Sequence, residues 1–208
     1  MNTALKNTYN KIAVDWHKDH SSDNWWISST DAFISMLKQG DHVLDVGCGG
    51  GTKSKYLFDN ELEVTGIDFS EKMIDIARRQ VPRGEFHILD LKDIKKLKDS
   101  FDGIFIQAVL LHIPKKEIEK TLRIIIKKLN NNGYLYVAVK ENNVKGIEEE
   151  IKVEHDYGYK YQRFFSYFSL DEMKSYFKKI GLKIVFAKVI SSGDTRWIQV
   201  IGKKDHEK

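Results

Sequence analysis

The chain has 208 residues, of which 41% are hydrophobic and 31% charged, and its formal net charge is +4. This length predicts one domain with enough apolar residues for a core, which excludes an intrinsically disordered chain. Two prolines and a single cysteine, Cys48, exclude a collagen-like chain, a disulfide framework and a cysteine-rich zinc site.

No stretch of the sequence predicts a membrane span or an export signal. The longest near-apolar run, Ile104–Ile113, is interrupted by Gln107 and His112, whereas spanning a bilayer takes about 20 apolar residues. Met1–Val14 is polar and carries no apolar stretch followed by a cleavage site. We therefore expect a soluble protein in the cytoplasm, where a lone thiol stays reduced.

The first 40 residues predict one or two helices, which form an N-terminal helical cap ahead of a main domain over residues 41–208. Tyr9 and Trp16 are seven residues apart, so they share one helical face. That face forms either a lid over a ligand or part of an ordinary core.

Strands and helices alternate through the middle of the chain. The predicted strands are His42–Val46, Leu62–Ile67, Glu85–Leu89, Phe101–Gln107 and Tyr134–Val139. The predicted helices are Thr52–Asp59, Ser70–Gln80 and Lys115–Leu129, the last followed by a turn at Asn130–Gly133. This alternation is typical of an α/β fold with a parallel sheet and helices on both faces.

The last third of the chain has a different pattern. Residues from about 142 to 163 are polar without a clear period and predict an insertion or a mobile loop. Ser169 and Glu172 form a capping box at the start of a helix. Leu182–Val189 and Trp197–Gly202 then predict a hairpin of two strands. The sheet should therefore have seven strands, the last one antiparallel.

A glycine-rich turn directly after the first predicted strand is the most informative segment. Gly47, Gly49 and Gly51 lie between a strand and a helix, where the backbone must turn tightly and let a ligand approach the main chain. Asp68 ends the second strand, and an acid there can accept hydrogen bonds from a ribose diol. The dinucleotide pattern would require a glycine at position 52, which is Thr52.

Asp45 precedes the first glycine of the turn by two residues. A carboxylate beside the turn disfavours a pyrophosphate and suits a ligand that carries a cationic amine and a sulfonium.

The segment VLDVGCGGG (Val43–Gly51) resembles the first motif of class I S-adenosylmethionine-dependent methyltransferases. Thr65–Ile74, His87–Leu91, Phe101–Pro114 and Leu129–Val139 resemble the following motifs of that family, in order. The resemblance covers roughly residues 40–203. It implies a Rossmann-like fold, methyl transfer as the reaction and S-adenosyl-L-methionine as the cofactor.

The resemblance also implies which residues bind the cofactor. They are Asp45, Gly47, Gly49, Gly51, Asp68, Phe69, Asp90, Leu91 and Gln107. Asp68 occupies the ribose-binding position, Phe69 lies beside the adenine, and Asp90 faces its exocyclic amine. Taken alone, Asp68 and Asp90 could equally be helix N-caps.

The acceptor side of the site carries weaker signals. His112 follows the fourth strand and is either a general base or a packing residue. Tyr9, Trp16 and Arg163 are candidates for lid or substrate contacts, with aromatic packing as the alternative. Cys48 is not expected to be a nucleophile, because sulfonium methyl transfer needs none. No metal is expected, since His155 and Asp156 have no further ligands at suitable spacing.

Three functions remain open at this point. The first is a methyltransferase acting on a small molecule, and the second is a methyltransferase that modifies tRNA or rRNA. Residues 92–128 carry ten Lys and Arg against five Asp and Glu, which favours RNA modestly. The third is a regulatory protein that binds the cofactor without catalysis.

Overall fold

A computed structural model describes residues 3–142 and 146–205 of the chain. Two helices, α1 (Thr3–His20) and α2 (Ile27–Ile34), precede the first strand, as the sequence predicts. No helix in the described ranges is both long and apolar enough to cross a membrane.

Seven strands form one sheet in the order β3-β2-β1-β4-β5-β9-β8. They are β1 (His42–Val46), β2 (Glu63–Asp68), β3 (Glu85–Ile88), β4 (Phe101–Gln107), β5 (Leu129–Lys140), β8 (Leu182–Ser192) and β9 (Thr195–Lys204). The first five strands pair in parallel, while β9 runs antiparallel to both β5 and β8. The seven-stranded, mostly parallel sheet predicted from the sequence is thereby confirmed.

Helices cover both faces of the sheet. They are α3 (Thr52–Asp59), α4 (Glu71–Gln80), α5 (Lys115–Ile125) and α6 (Leu170–Lys179). Alternate strand residues bury toward opposite faces, as the two-residue period of a strand requires. Leu44 packs in the core that includes Leu122 of α5 and Phe177 of α6. Val43 packs in the core that includes Phe33 of α2 and Leu57 of α3.

Two helix starts carry the caps that the sequence predicts. The Ser70 hydroxyl accepts a hydrogen bond from the Met73 amide at the start of α4. At α6, Ser169 and Glu172 form both hydrogen bonds of a capping box. Gly181, just beyond α6, has a φ of 80°, a conformation that suits glycine at a helix end.

Residues 142–163 were expected to form an insertion or a mobile loop, and most of the segment has regular structure. A hairpin forms from β6 (Glu149–Glu154) and β7 (Tyr161–Ser166), outside the main sheet. Positions 143–145 of the segment lie outside the described residues. Strand β7 packs against α1 and against the 3-10 turn Leu110–His112.

Two smaller differences concern the chain around residue 130. The helix predicted to run to Leu129 ends at Ile125 and continues as a 3-10 turn, Ile126–Lys128. The predicted turn at Asn130–Gly133 belongs to β5, where the pairing register with β4 shifts. Asn132 has a φ of 65°, which lets the strand absorb the extra residues.

Candidate functional site

A cavity lies where the carboxyl ends of β1, β2, β4 and β5 meet, beside the point where the strand order reverses. Ligands bind at this place in open α/β sheets. Eleven of the residues singled out from the sequence line the cavity: Tyr9, Trp16, Asp45, Gly47, Gly49, Asp68, Phe69, Leu91, Gln107, His112 and Arg163. The fold thus brings together residues that are up to 154 positions apart in the chain.

The glycine turn forms the floor of the cavity at the end of β1. Its first amide, at Gly47, donates a hydrogen bond of 2.7 Å to the Ile67 carbonyl. Gly47 has a φ of 69°, and a Cβ there would lie 2.3 Å from Val109. A Cβ on Gly50 would lie 2.3 Å from the His17 ring of α1. The left-handed φ favours glycine at position 47, whereas a side chain at position 50 would require the His17 ring to move.

Asp45 is buried at the end of β1, where its side chain accepts a 2.6 Å hydrogen bond from the Ser54 hydroxyl. Burial raises the pKa of this carboxyl to about 6, and the hydrogen bond from Ser54 and the charge of Lys53 act against the rise. A cation bound beside Asp45 would lower that pKa again, because it favours the ionised form.

Asp68 is buried at the end of β2 and accepts hydrogen bonds from two backbone amides. The Ser70 amide lies 2.8 Å from one carboxylate oxygen, and the Gly49 amide lies 3.1 Å from the other. Burial raises the pKa of this carboxyl to about 6. Each oxygen keeps a further lone pair, so the carboxylate can still accept hydrogen bonds from a diol in the cavity.

Two polar side-chain atoms in the cavity lack partners. The Gln107 Oε1 and the Trp16 Nε1 are buried, and neither has a hydrogen-bond partner among the residues that the structure describes. A buried polar atom without a partner costs free energy. A ligand with one donor for Gln107 and one acceptor for Trp16 would satisfy both atoms. The unpartnered acceptor of Gln107 and the unpartnered donor of Trp16 therefore fit an adenosyl amino acid.

Two predicted cofactor residues do not line the cavity. Gly51 has a φ of 84°, and a Cβ there would lie 3.0 Å from the Ala77 backbone, so it lets α3 approach α4 closely. Asp90 caps the 3-10 helix Leu91–Lys96, with its side chain accepting a 2.9 Å hydrogen bond from the Lys92 amide. The N-cap alternative thus describes the contact that Asp90 makes here.

His112 is held between two oxygen atoms. Its Nδ1 lies 2.7 Å from the Phe164 carbonyl oxygen, and its Nε2 lies 2.7 Å from the Tyr9 hydroxyl. A carbonyl can only accept, so Nδ1 carries the hydrogen and Nε2 accepts from the hydroxyl. Burial lowers the pKa of His112 to about 3, and the charges of Arg163 and Lys140 add to the shift. The ring is therefore neutral near pH 7.

Arg163 of β7 and Tyr9 of α1 both line the cavity. Two guanidinium nitrogens of Arg163 donate hydrogen bonds of 2.6 Å to the Glu154 carboxylate, across the β6–β7 hairpin. The Tyr9 ring contacts Phe69, at 5.8 Å between centroids, and Trp16, at 6.3 Å. Residues of α1 and of the hairpin therefore line the cavity together, and these two elements form its roof.

Cys48 lies in the glycine turn with its thiol buried. Burial raises its pKa well above the ordinary value, and the charges of Asp45 and Asp68 add to the rise. A thiol of this kind is a poor nucleophile, because the thiolate is the reactive form.

Sequence reasoning missed several residues that line the cavity. They are Asp23, Lys53, Lys140 and Trp197. Lys140 and Trp197 face each other across the β5–β9 pairing. Their positions at strand ends were readable in the sequence, but neither residue type marks a ligand site by itself.

Residues 43–133 match a family described as a methyltransferase domain. The ubiquinone biosynthesis O-methyltransferase of Coxiella burnetii is 32% identical over 134 residues, which are 57% of this chain and 56% of that protein. The demethylmenaquinone methyltransferase of Clavibacter sepedonicus is 32% identical over 49% of this chain and 42% of its own length. The chain spans about half the length of the curated relatives it matches.

A solved structure gives the same fold over nearly the whole chain. It is the 1,6-didemethyltoxoflavin-N1-methyltransferase of Burkholderia thailandensis, with bound 1,6-didemethyltoxoflavin and S-adenosylhomocysteine. The two chains superpose with a TM-score of 0.78 and 17% identity, over 98% of this chain and 88% of the other. At that identity the likeness concerns the fold alone.

Proposed function

We propose that the chain, whose residues 43–133 match a methyltransferase domain, is a class I S-adenosylmethionine-dependent methyltransferase that transfers a methyl group from S-adenosyl-L-methionine to a small-molecule acceptor. The observation that carries the proposal is the cavity in which the glycine turn meets the buried acids Asp45 and Asp68. The relatives named for ubiquinone and menaquinone chemistry support a small molecule as the acceptor.

The cavity residues divide the work of holding the cofactor. Asp45 attracts the cationic amino-acid end across the glycine turn, and Asp68 accepts the hydrogen bonds of the ribose hydroxyls. Phe69 and Leu91 offer apolar surface to the adenine, and Gln107 uses its unpaired oxygen as an acceptor. Gly51 and Asp90 support this surface from outside the cavity.

When bound, S-adenosylmethionine supplies an electrophilic methyl group whose departure leaves a neutral thioether. The protein therefore needs to align an acceptor atom and keep water out, more than to supply an acid. Well-oriented approach alone is worth roughly 7–11 kcal/mol. The roof formed by Tyr9, Trp16 and Arg163 is placed to exclude water.

His112 takes a positioning role in this proposal. Its neutral Nε2 can accept a hydrogen bond from the acceptor's hydroxyl or amine once that group replaces the Tyr9 hydroxyl. A pKa of about 3 makes the ring a weak base, so a full proton transfer to it needs an acceptor that raises this pKa.

The basic segment over residues 92–128 is the feature that would favour RNA as the acceptor. Several of its cations already have partners within the chain. Lys92 pairs with Glu117, Lys96 with Asp93 and Arg123 with Glu119, and the Lys128 ammonium donates to the Leu97 carbonyl. The acids of these pairs are already counted in the charge of the segment, so the preference for a small molecule over RNA rests on the named relatives.

We further propose that residues 1–40 form a helical cap and that residues 41–208 form the methyltransferase domain. We propose the cytoplasm as the place of the reaction, because the single thiol of Cys48 stays reduced there.

Calorimetric titration with S-adenosylmethionine and S-adenosylhomocysteine, with NADH as the control ligand, tests the proposal. We expect both sulfur nucleotides to bind and NADH not to bind. Asp68→Ala should weaken binding by about 1–3 kcal/mol, as for a lost charged hydrogen bond. Asp75→Ala, an exposed acid on α4, is the matched control and should bind as the wild type does.

Binding of NADH in place of the sulfur nucleotides would assign the site to redox chemistry. Equal affinity in Asp68→Ala and the wild type would contradict the ribose assignment.

A further inference from the structure

Acidic and basic side chains line different ends of the cavity, apart from Lys53, which lines it near Asp45. Asp45 and Asp68 stand at the ends of β1 and β2, whereas Lys140 ends β5 and Arg163 reaches in from β7. The sheet order puts β4 between these ends. A cationic ligand therefore suits the acidic end, and the basic end is left for the second ligand.

Lys140 is the cation at the basic end that is available to a ligand. Arg163 donates two hydrogen bonds to Glu154, and the negative charge of that carboxylate offsets the charge of the guanidinium. The Lys140 side chain makes no ion pair or hydrogen bond with any of the residues that the structure describes. Its backbone pairs with Trp197 of β9, and its carbonyl accepts a 3.1 Å hydrogen bond from the Phe168 amide. Its ammonium instead lies 4.5 Å from the centroid of the Phe165 ring and 5.8 Å from that of Trp197.

Burial lowers the pKa of Lys140 to about 8. The charged groups that face it come from the hairpin: Arg163, Lys152, Glu154 and Glu150. Lys140 is therefore mostly protonated near pH 7, and an anion beside it would recover part of the solvation that burial removes.

The walls around Lys140 are aromatic. Trp25 and Trp197 stack with their ring centroids 4.1 Å apart and their planes 12° apart. Phe165 lies on the hairpin side, 5.1 Å from the His112 ring. Flat apolar surfaces of this kind favour a flat ring, because stacking adds to the burial of apolar area.

We propose that the methyl acceptor is a planar aromatic molecule that carries an anionic oxygen group, and that Lys140 binds this group while Trp197 and Phe165 flank the ring. The inference rests on the proposed function, because it assigns the other end of the cavity to the cofactor. The anionic oxygen can belong to a carboxylate or to an ionised ring hydroxyl.

The test uses the full chain saturated with S-adenosylhomocysteine and titrates it calorimetrically with matched probes. The carboxylate pair is 2-naphthoate and its neutral amide, 2-naphthamide. The ring-oxygen pair is 4-nitrophenolate and its neutral ether, 4-nitroanisole. We expect at least one anion to bind about tenfold or more tightly than its neutral partner, and the pair that shows this identifies the source of the charge.

Lys140→Met should abolish that preference and leave the affinity for the neutral probes unchanged, while Lys140→Arg should retain it. Lys152→Met is the matched control, because the Lys152 ammonium lies 5.9 Å from the same Phe165 ring without lining the cavity. This control should keep the full preference for the anion.

A pH profile of the wild type supplies a second readout that a structural role would not move. The preference for 2-naphthoate over 2-naphthamide should fall as the pH rises through about 8, because Lys140 loses its proton there. This measurement decides the matter if Lys140→Met fails to fold.

Three results would overturn the inference and leave the proposed function intact. They are binding of S-adenosylhomocysteine without binding of either anionic probe, equal affinities for anion and neutral partner, and a preference that survives in a folded Lys140→Met variant. Failure of the wild type to bind S-adenosylhomocysteine would instead contradict the proposed function.

Discussion

At the scale of single residues, the cavity holds a histidine whose two nitrogens are both engaged. The Phe164 carbonyl fixes the hydrogen on Nδ1 of His112, and the Tyr9 hydroxyl donates to Nε2. A second proton on Nε2 would require the Tyr9 hydroxyl to accept instead of donate. The lowered pKa of His112 follows first from burial and then from the charges of Arg163 and Lys140.

We expect the His112 ring to stay neutral from pH 8 down to pH 5. Nitrogen-resolved NMR of histidine-labelled protein should show Nδ1 protonated, with no titration of this ring across that range. In Arg163→Met a nearby positive charge is removed, so the pKa of His112 should rise. A wild-type midpoint near the ordinary value of about 6.5 would contradict this assignment.

The same lowered pKa affects stability in a defined direction. The folded-state pKa of about 3 lies below the unfolded value of about 6.5. Protonation therefore favours the unfolded chain, and the stability that neutral His112 contributes is lost as the pH falls below about 6.5.

At the scale of elements, side chains of α1 fix this helix to α4 on one side and to the hairpin on another. Asn10 donates to Glu71 at 2.7 Å and accepts from the Ser70 hydroxyl at 2.6 Å, which ties α1 to the start of α4. Thr8 donates to the Gln162 carbonyl at 3.1 Å, which ties α1 to the hairpin. These polar contacts surround an apolar cluster of Ala13, Met73 and Ile76, which is separate from the main core. We therefore expect α1 to open without disturbing that core.

Asn10→Ala should loosen α1 selectively. The variant removes the contacts with Ser70 and Glu71, and we expect faster amide hydrogen exchange across α1 with unchanged protection of β1 and β4. Its affinity for S-adenosylhomocysteine should fall by about 1–2 kcal/mol, because closing the roof becomes less favourable.

Asn7→Ala is the matched control on the same helix, since Asn7 is exposed. It should leave both the exchange rates and the affinity unchanged. Faster exchange spread evenly over the sheet in Asn10→Ala would mean that α1 belongs to the global folding unit, against the role as a lid.

The elements also show where sequence patterns stop being informative. Strands such as β4 are apolar on both faces, which the sequence displays directly. The hairpin strand β6 is mostly exposed, with Ile151 and Val153 set among charged residues. It forms because its partner β7 lies on α1 and on the 3-10 turn before α5, and a tertiary contact of that kind leaves no local period.

At the scale of the whole molecule, the cofactor end of the cavity could be predicted from the sequence and the acceptor end could not. Asp45, Asp68 and the glycine turn come from consecutive strand ends with a recognisable spacing. Lys140 and Trp197 come from β5 and β9, and they meet only because the last strand inserts antiparallel beside the fifth. Their contact depends on how the strands pair in the sheet, so the sequence around a single lysine or tryptophan does not predict it.

The two buried acids give the molecule opposite requirements for binding and for stability. The folded-state pKa of Asp45 is about 6, above its unfolded value of about 3.8. The folded state therefore holds the proton more tightly, so acidification through this window favours folding and ionisation above pH 6 opposes it. A cationic ligand needs the ionised form, which is the form that costs stability.

Asp45→Asn should therefore separate the two properties. The amide oxygen can still accept from the Ser54 hydroxyl, and the cost of a buried charge disappears. We expect the free energy of unfolding of the ligand-free protein to rise by about 1–3 kcal/mol at pH 7.5, because the pKa of Asp45 is about 6 in the folded state and about 3.8 in the unfolded state. Urea denaturation at several pH values should show this gain shrinking toward pH 4, where the wild-type carboxyl is protonated. Calorimetry at pH 7.5 should show weaker binding of S-adenosylmethionine by the same variant, and a gain in both stability and affinity would contradict the role of Asp45 as the site's anion.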